Sequence, residues 1–218
     1  MNHYETEALL VRHVEAKLET FFRKNNKIKS TVLKELNLGF GIADIVLTIH
    51  LPSSNVNSIK LQQTDIGLFQ ALKSKRFASI EETSKKTGIN RAKLLSSLKT
   101  LEQRNLIRLD STIESCFYSI IGDIHNKVKF TIAFEAKLKD WRKALDQAYR
   151  YKWFANMAFV IMDDKYSTQA KNNLEMFIKM QVGLITSTKN GPINIIYMPK
   201  KQKPMDEIKA LLLNEKLD

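Results

Sequence analysis

The sequence predicts an α/β protein built on a mixed β-sheet, with a separate small helical domain inserted into it. Three observations carry that prediction. Apolar runs of strand length, such as IADIVLTIHL (42–51) and MAFVIM (157–162), are interleaved with longer stretches of helical periodicity. KVKFTIAFEAK (127–137), LKDWRKALDQAYRYKW (138–153) and MAFVIM form a strand-helix-strand crossover, so their two strands are expected to be parallel neighbours. Between residues 61 and 121 the pattern shifts to three short helices and two short strands.

Taken in order, HYETEALLVRHVEAKLETFF (3–22) places Leu10, Val11, Val14, Leu18, Phe21 and Phe22 at helical spacing. After the basic break RKNNKIKS, TVLKELNL (31–38) and IADIVLTIHLP read as two strands around the turn GFG, with Gly39 and Gly41 supplying the turn and Pro52 closing the second strand. SSNVNS (53–58) is a short polar linker. TDIGLFQALKSKRF (64–77), SIEETSKKTG (79–88, stopped by Gly88) and NRAKLLSSLKTLEQRN (90–105, capped by Asn90) are three helices, followed by strands in LIRLDST and SCFYSI. In FTIAFEAK, Phe130, Ile132 and Phe134 alternate with Thr131, Ala133 and Glu135, which predicts a half-buried strand. YSTQAKNNLEMFIKMQ (166–181) is expected as one helix. VGLITST and PINIIYMP follow as strands around Lys189-Asn190-Gly191, and MDEIKALLLNEKL as a final helix. The domain boundaries implied are 1–60 and 122–218 for the sheet domain, with 61–121 as the insert.

Composition excludes several function classes. No segment reads as a membrane span or signal peptide, and the single Cys116 excludes a disulfide framework and a cysteine-based zinc site. His3, His13, His50 and His125 have no metal-ligand spacing. These points lead to an expectation of a cytoplasmic or nucleoid-associated protein. The formal net charge of +12 favours a polyanionic partner, nucleic acid above all; a lysine-rich solvated surface is the other reading.

The chemistry concentrates at the strand ends. Asp44 lies in an apolar run, where a carboxylate is costly unless it is paired or holds a cation; an exposed place at the strand start beside the GFG turn is the other reading. Glu135 and Lys137 lie on one face of a strand expected beside it, so two acids and an ammonium converge on an oxygen-rich setting suited to Mg²⁺. Asp44, the Glu135-Ala136-Lys137 triplet and the helix after it resemble the PD-(D/E)XK nuclease superfamily, the restriction-endonuclease-like fold. The resemblance spans the chain outside the insert. Gln147 and Tyr151, spaced Gln-x-x-x-Tyr, resemble the extra motif of its exonuclease-like branch, and Glu7 matches a glutamate of the first helix better than Glu5 or Glu15 does. Glu15-Ala16-Lys17 repeats the triplet within a helical pattern, where it reads as surface charge, and Ala43 stands where the family's namesake has proline. The resemblance implies that Asp44 and Glu135 hold Mg²⁺, or Mn²⁺ in its place, with the Ala136 carbonyl as a further ligand and Glu7 acting through a water or a second cation. Lys137 would orient or deprotonate the attacking water, and Gln147 and Tyr151 would touch the lysine or DNA. Among Trp141, Tyr149, Trp153 and Phe154, most are expected to be core.

Glu82 to Leu98, with the turn Thr87-Gly88-Ile89, resembles a winged helix-turn-helix, which implies duplex contact through Arg91, Lys93, Ser97 and Lys99 on its third helix and Arg76, Lys85 and Lys86 nearby. The expectation is therefore a metal-dependent DNA endonuclease with a DNA-binding insert, acting as a homodimer or within a larger nuclease or recombination complex. The alternatives are a non-catalytic DNA-binding regulator, or an accessory subunit on the same fold.

Overall fold

A computed structural model describes residues 3–24, 29–39, 41–51, 59–110, 117–189 and 191–217. The chain forms two compact units, Met1–Ser53 with Lys127–Ala210, and Ser54–Asn126 with Leu211–Asp218. Pro52, the SSNVNS linker, Phe40, Asn190 and Cys116 lie outside the described residues.

The first unit is α/β. Its strands are β1 (Ser30–Asn37), β2 (Ile42–His50), β5 (Val128–Lys137), β6 (Met157–Asp163), β7 (Gly183–Ser187) and β8 (Ile193–Tyr197), with β3 (Ile107–Leu109) and β4 (Tyr118–Ile120) belonging to the second unit. They form one mixed sheet in the order β1-β2-β5-β6-β7-β8. β1, β2 and β5 are antiparallel in succession, β5, β6 and β7 are parallel, and β8 is antiparallel at the edge. The crossover from β5 to β6 runs through α5 (Trp141–Tyr151), whose first turn is capped by Asp140 accepting from the Lys143 N–H at 3.1 Å.

Both faces of the sheet centre are covered. Leu10 and Val14 of α1 (Glu7–Lys24) share a core with Ile45, Leu47, Phe134, Ala136, Phe159 and Ile161. Ala144, Leu145 and Ala148 of α5 are buried where that helix packs on β5 and β6. The half-buried strand expected from FTIAFEAK is thus corrected: Thr131, Ala133 and Glu135 are buried along with Phe134 and Ala136. Alternation in composition does not mean alternation in exposure when a helix lies on each side.

Other differences are local. The single helix expected over 166–181 is a 3-10 turn at Asp164–Tyr166, then α6 (Thr168–Asn172) and α7 (Leu174–Met180), broken at Asn173 with φ −111° and ψ 31°. Glu15 is not surface charge: it is buried and pairs with Lys34 of β1 at 2.8 Å. Trp141 and Phe154 are core as expected, whereas Tyr149 and Trp153 are exposed.

The second unit contains α2 (Gln63–Ser74), α3 (Ile80–Thr87), α4 (Arg91–Gln103) and the antiparallel pair β3 (Ile107–Leu109) and β4 (Tyr118–Ile120). α2 ends at Ser74, three residues before the expected Phe77, which is buried beyond it. Gly88 ends α3 in the left-handed region at φ 70°, and Asn90 caps α4 by accepting from the Lys93 N–H at 2.9 Å. Tyr118 fastens the hairpin to α2 by donating to the Leu72 and Lys75 carbonyls. The last element is α8 (Glu207–Asn214).

One position tests the packing of the first unit directly. A Cβ at Gly183 in β7 would fall 2.1 Å from the Phe159 ring, which stacks on Phe134 at 5.6 Å. Gly183→Ala is expected to cost about 1–3 kcal/mol through overpacking, read as a lower urea midpoint.

Candidate active site at the parting of β2 and β5

The β2–β5 ladder runs from His50↔Val128 to Ile45↔Phe134 and ends there. Beyond Phe134, β5 continues beside β6 alone, to Lys137↔Met162, while β2 continues beside β1 to Ile42↔Asn37. The two strands therefore part at Asp44 and Glu135, and side chains take over from the ladder. Asp44 Oδ2 accepts the Ala136 N–H at 2.7 Å, so a main-chain donor that lost its strand partner is satisfied by a carboxylate. Asp44 Oδ1 has no hydrogen bond among the described residues.

Glu135 is only 1% exposed. Its Oε1 lies 2.9 Å from Lys137 Nζ, and its Oε2 accepts from the Tyr151 hydroxyl, which also approaches the Ile42 carbonyl at 2.7 Å. Lys137 Nζ donates to the Ala136 carbonyl and reaches Glu7 Oε2, both at 3.2 Å. Glu7, Asp44, Glu135, Ala136, Lys137 and Tyr151, drawn from α1, β2, β5 and α5, are thus brought together. Gln147 is not bonded to any of them: its Oε1 is buried without a hydrogen-bond partner. Glu5 instead pairs with Lys189 at 3.3 Å.

Burial raises the pKa of Asp44 above the usual carboxylate range; the Ala136 N–H and Lys137 oppose this, while Glu7 and Glu35 add to it. Glu35 is the neighbour that sequence reasoning missed. It stands in β1 between the residues paired with Ile45 and Ala43, at a positive φ of 47°. No motif marks it; only strand pairing shows it opposite Asp44. Burial also raises the pKa of Glu135, with the Tyr151 bond opposing and Asp44 reinforcing. For Lys137, burial disfavours the charge, but its bond to Glu135 and the acids around it win, so its pKa is raised and it remains an ammonium. The Tyr151 hydroxyl is pushed up by burial and by Glu135, and stays protonated.

Among the described residues, no three His, Cys, Asp or Glu side chains gather as a ready metal cage. What the site offers is a mixed oxygen set: Asp44 Oδ1, Glu135, the Ala136 carbonyl and the half-exposed Glu7. The buried Glu135 and the half-buried Asp44, whose Oδ1 accepts no hydrogen bond among the described residues, suit a hard cation with few protein ligands, as Mg²⁺ is commonly held. The residues fit such an ion.

The second unit distributes the other expected residues unevenly. Arg76, Lys85 and Lys99 are exposed, with no ion pair among the described residues. Arg91 pairs with Glu81, Lys86 with Glu82 at 2.6 Å, and Lys93 Nζ donates to Gln62 at 2.7 Å. Ser97 is a correction: it is 0% exposed, on the face of α4 shared with Leu94, Leu98 and Leu101, and cannot meet DNA. The outward face carries Leu95 instead, 44% exposed, beside a groove of about 560 Å³ lined by Ile80, Leu98, Leu109 and Phe117.

Comparison of the chain with protein-family models, curated proteins and solved structures gives no match. No helix among the described residues is long and apolar enough to cross a membrane.

The raised carboxylates set a pH dependence. A folded-state pKa above the unfolded value means that the native state binds protons more tightly, so stability falls as pH rises from the ordinary carboxylate range through the raised one. Asp44→Asn keeps an acceptor for the Ala136 N–H and removes that charge. It is expected to raise the melting temperature of the metal-free protein at pH ~7 by roughly 2–4 °C, with the gain vanishing at mildly acidic pH. Differential scanning calorimetry across pH reads this.

Proposed function

We propose that the chain is a divalent-metal-dependent deoxyribonuclease of the restriction-endonuclease-like kind, hydrolysing phosphodiester bonds at the parting of β2 and β5. The observation that carries this reading is the convergence of Asp44, Glu135 and Lys137 at the end of a sheet ladder: Glu135 and Lys137 pair at 2.9 Å, and Asp44 accepts the N–H of Ala136 between them at 2.7 Å. Asp44, Glu135 and the Ala136 carbonyl would hold Mg²⁺ or Mn²⁺, with Glu7 acting through a water. When bound, that ion would supply Lewis-acid stabilisation of phosphate oxygens and a more acidic water.

The chain's own residues do the rest. Lys137, kept charged by its carboxylate neighbours, donates hydrogen bonds to the attacking water and offsets charge building on the phosphate. This favours an orienting role over the proton-accepting one, because an ammonium has no lone pair to receive a proton. Tyr151 fixes the rotamer of Glu135 by holding one oxygen and leaving the other toward the site. Gln147, on the same helix, has a buried carbonyl oxygen without a hydrogen-bond partner and takes no assigned part in the chemistry.

The second unit, three helices and a hairpin, acts in this reading as a winged helix that adds duplex affinity through Arg76, Lys85 and Lys99, with Arg91 and Lys93 able to leave their partners for phosphates. The apolar groove beside Leu95 favours a second reading for this unit alone, in which α4 meets a protein and the chain serves as a subunit of a nuclease or recombination complex.

Supercoiled and branched DNA incubated with Mg²⁺ or Mn²⁺ tests the assignment. Wild type is expected to cleave, and Asp44→Ala and Lys137→Ala each to lose about 10²-fold or more in rate while still retarding DNA in gel shifts with EDTA. Metal-indifferent binding without cleavage of any substrate would leave the binding-protein reading.

A further inference from the structure

Asp163, at the end of β6, is 0% exposed and has no cationic partner among the described residues. A buried carboxylate of this kind is costly unless hydrogen bonds replace its water. Both of its oxygens are engaged by main-chain donors: Oδ2 accepts the Tyr4 N–H at 2.7 Å and Oδ1 the Lys165 N–H at 3.0 Å. Tyr4 is itself buried, and its hydroxyl lies 2.8 Å from Ser187 Oγ and donates to the Thr188 carbonyl at 2.9 Å. Asp163 and Ser187 are paired across β6 and β7, so the segment before α1 is tied to the ends of two neighbouring strands. Three residues on, Glu7 opens α1 and meets Lys137 on the next strand, β5.

Glu7 has little else to hold it. Its side chain is 47% exposed, with a single contact of 3.2 Å to a lysine tip, the sort of ion pair that contributes little order by itself. We propose that Tyr4 and Asp163 form a clamp that positions Glu7 at the Asp44–Glu135–Lys137 site, making them positioning residues for metal binding. Neither touches the reacting groups; the effect passes through the start of α1. The inference rests on the nuclease reading for its functional consequence, and on the hydrogen bonds alone for its structural part.

Tyr4→Phe keeps the ring packed and removes the two hydroxyl contacts; Asp163→Asn is the second variant. Each is made alone and together with Glu7→Gln, and two quantities are measured. The first is the Mn²⁺ concentration giving half-maximal cleavage, expected to rise about tenfold in Tyr4→Phe and in Glu7→Gln, with no further rise when they are combined. Equal shifts that multiply in the double variant, or a Tyr4→Phe midpoint equal to wild type, would overturn the clamp. The second is the urea midpoint without metal, where Tyr4→Phe and Glu7→Gln are expected to be non-additive. If wild type cleaves nothing, the nuclease reading fails, and the urea cycle still decides the clamp: strict additivity rejects it.

Discussion

The site depends on one hydrogen bond, from the Ala136 N–H to Asp44 Oδ2. It forms where β2 and β5 stop sharing a ladder, and it lets the strands separate without leaving a buried donor unsatisfied. One carboxylate oxygen is used there, and the other accepts no hydrogen bond among the described residues. Glu135 and Lys137 follow from strand geometry: two residues apart on β5, they share the face that Asp44 reaches. Tyr151, the last residue of α5, holds Glu135, and Glu7 of α1 meets Lys137. A change that restored ordinary pairing between residues 44 and 135 would erase the site while preserving the sheet.

The electrostatics follow from the same constraint. Parting the strands leaves the buried Glu135 and the half-buried Asp44 near each other, and the lysine between Glu135 and Glu7 only partly compensates. Asp44 and Glu135 keep raised proton affinities, so the fold is more stable where they are protonated than at neutral pH. Stability given up at a cluster of like charges is a common mark of functional positions. Here the strained φ of Glu35, opposite Asp44, lies in the same place.

Much of this was legible in the sequence, for identifiable reasons. Strand-length apolar runs and helical periodicity located the elements around Asp44 and the Glu135-Ala136-Lys137 triplet, and the crossover predicted the parallel β5–β6 pair that the structure contains. Tyr151 was reachable only through the resemblance of Gln147-x-x-x-Tyr151 to a family motif, and of that pair Tyr151 alone bonds Glu135. The failures have physical sources as well. Ser97 looked like a polar contact residue on α4, yet it falls on the helix's buried side, a phase that periodicity blurs when a small residue sits among leucines. Glu15 was discounted because a helical glutamate is usually solvated, and its partner Lys34 comes from a strand that pairing alone brings near. Tyr4, Asp163 and Glu35 act through tertiary contacts between distant parts of the chain, with no local signal to announce them.

The most direct test of the account is to locate manganese in crystals of the protein grown with Mn²⁺, using anomalous scattering. The account predicts a peak in the notch between β2 and β5, about 2.1 Å from Asp44 Oδ1 and within reach of Glu135 and the Ala136 carbonyl. A saturated crystal with no peak there, and Lys137 still lodged between Glu135 and Glu7, would contradict it.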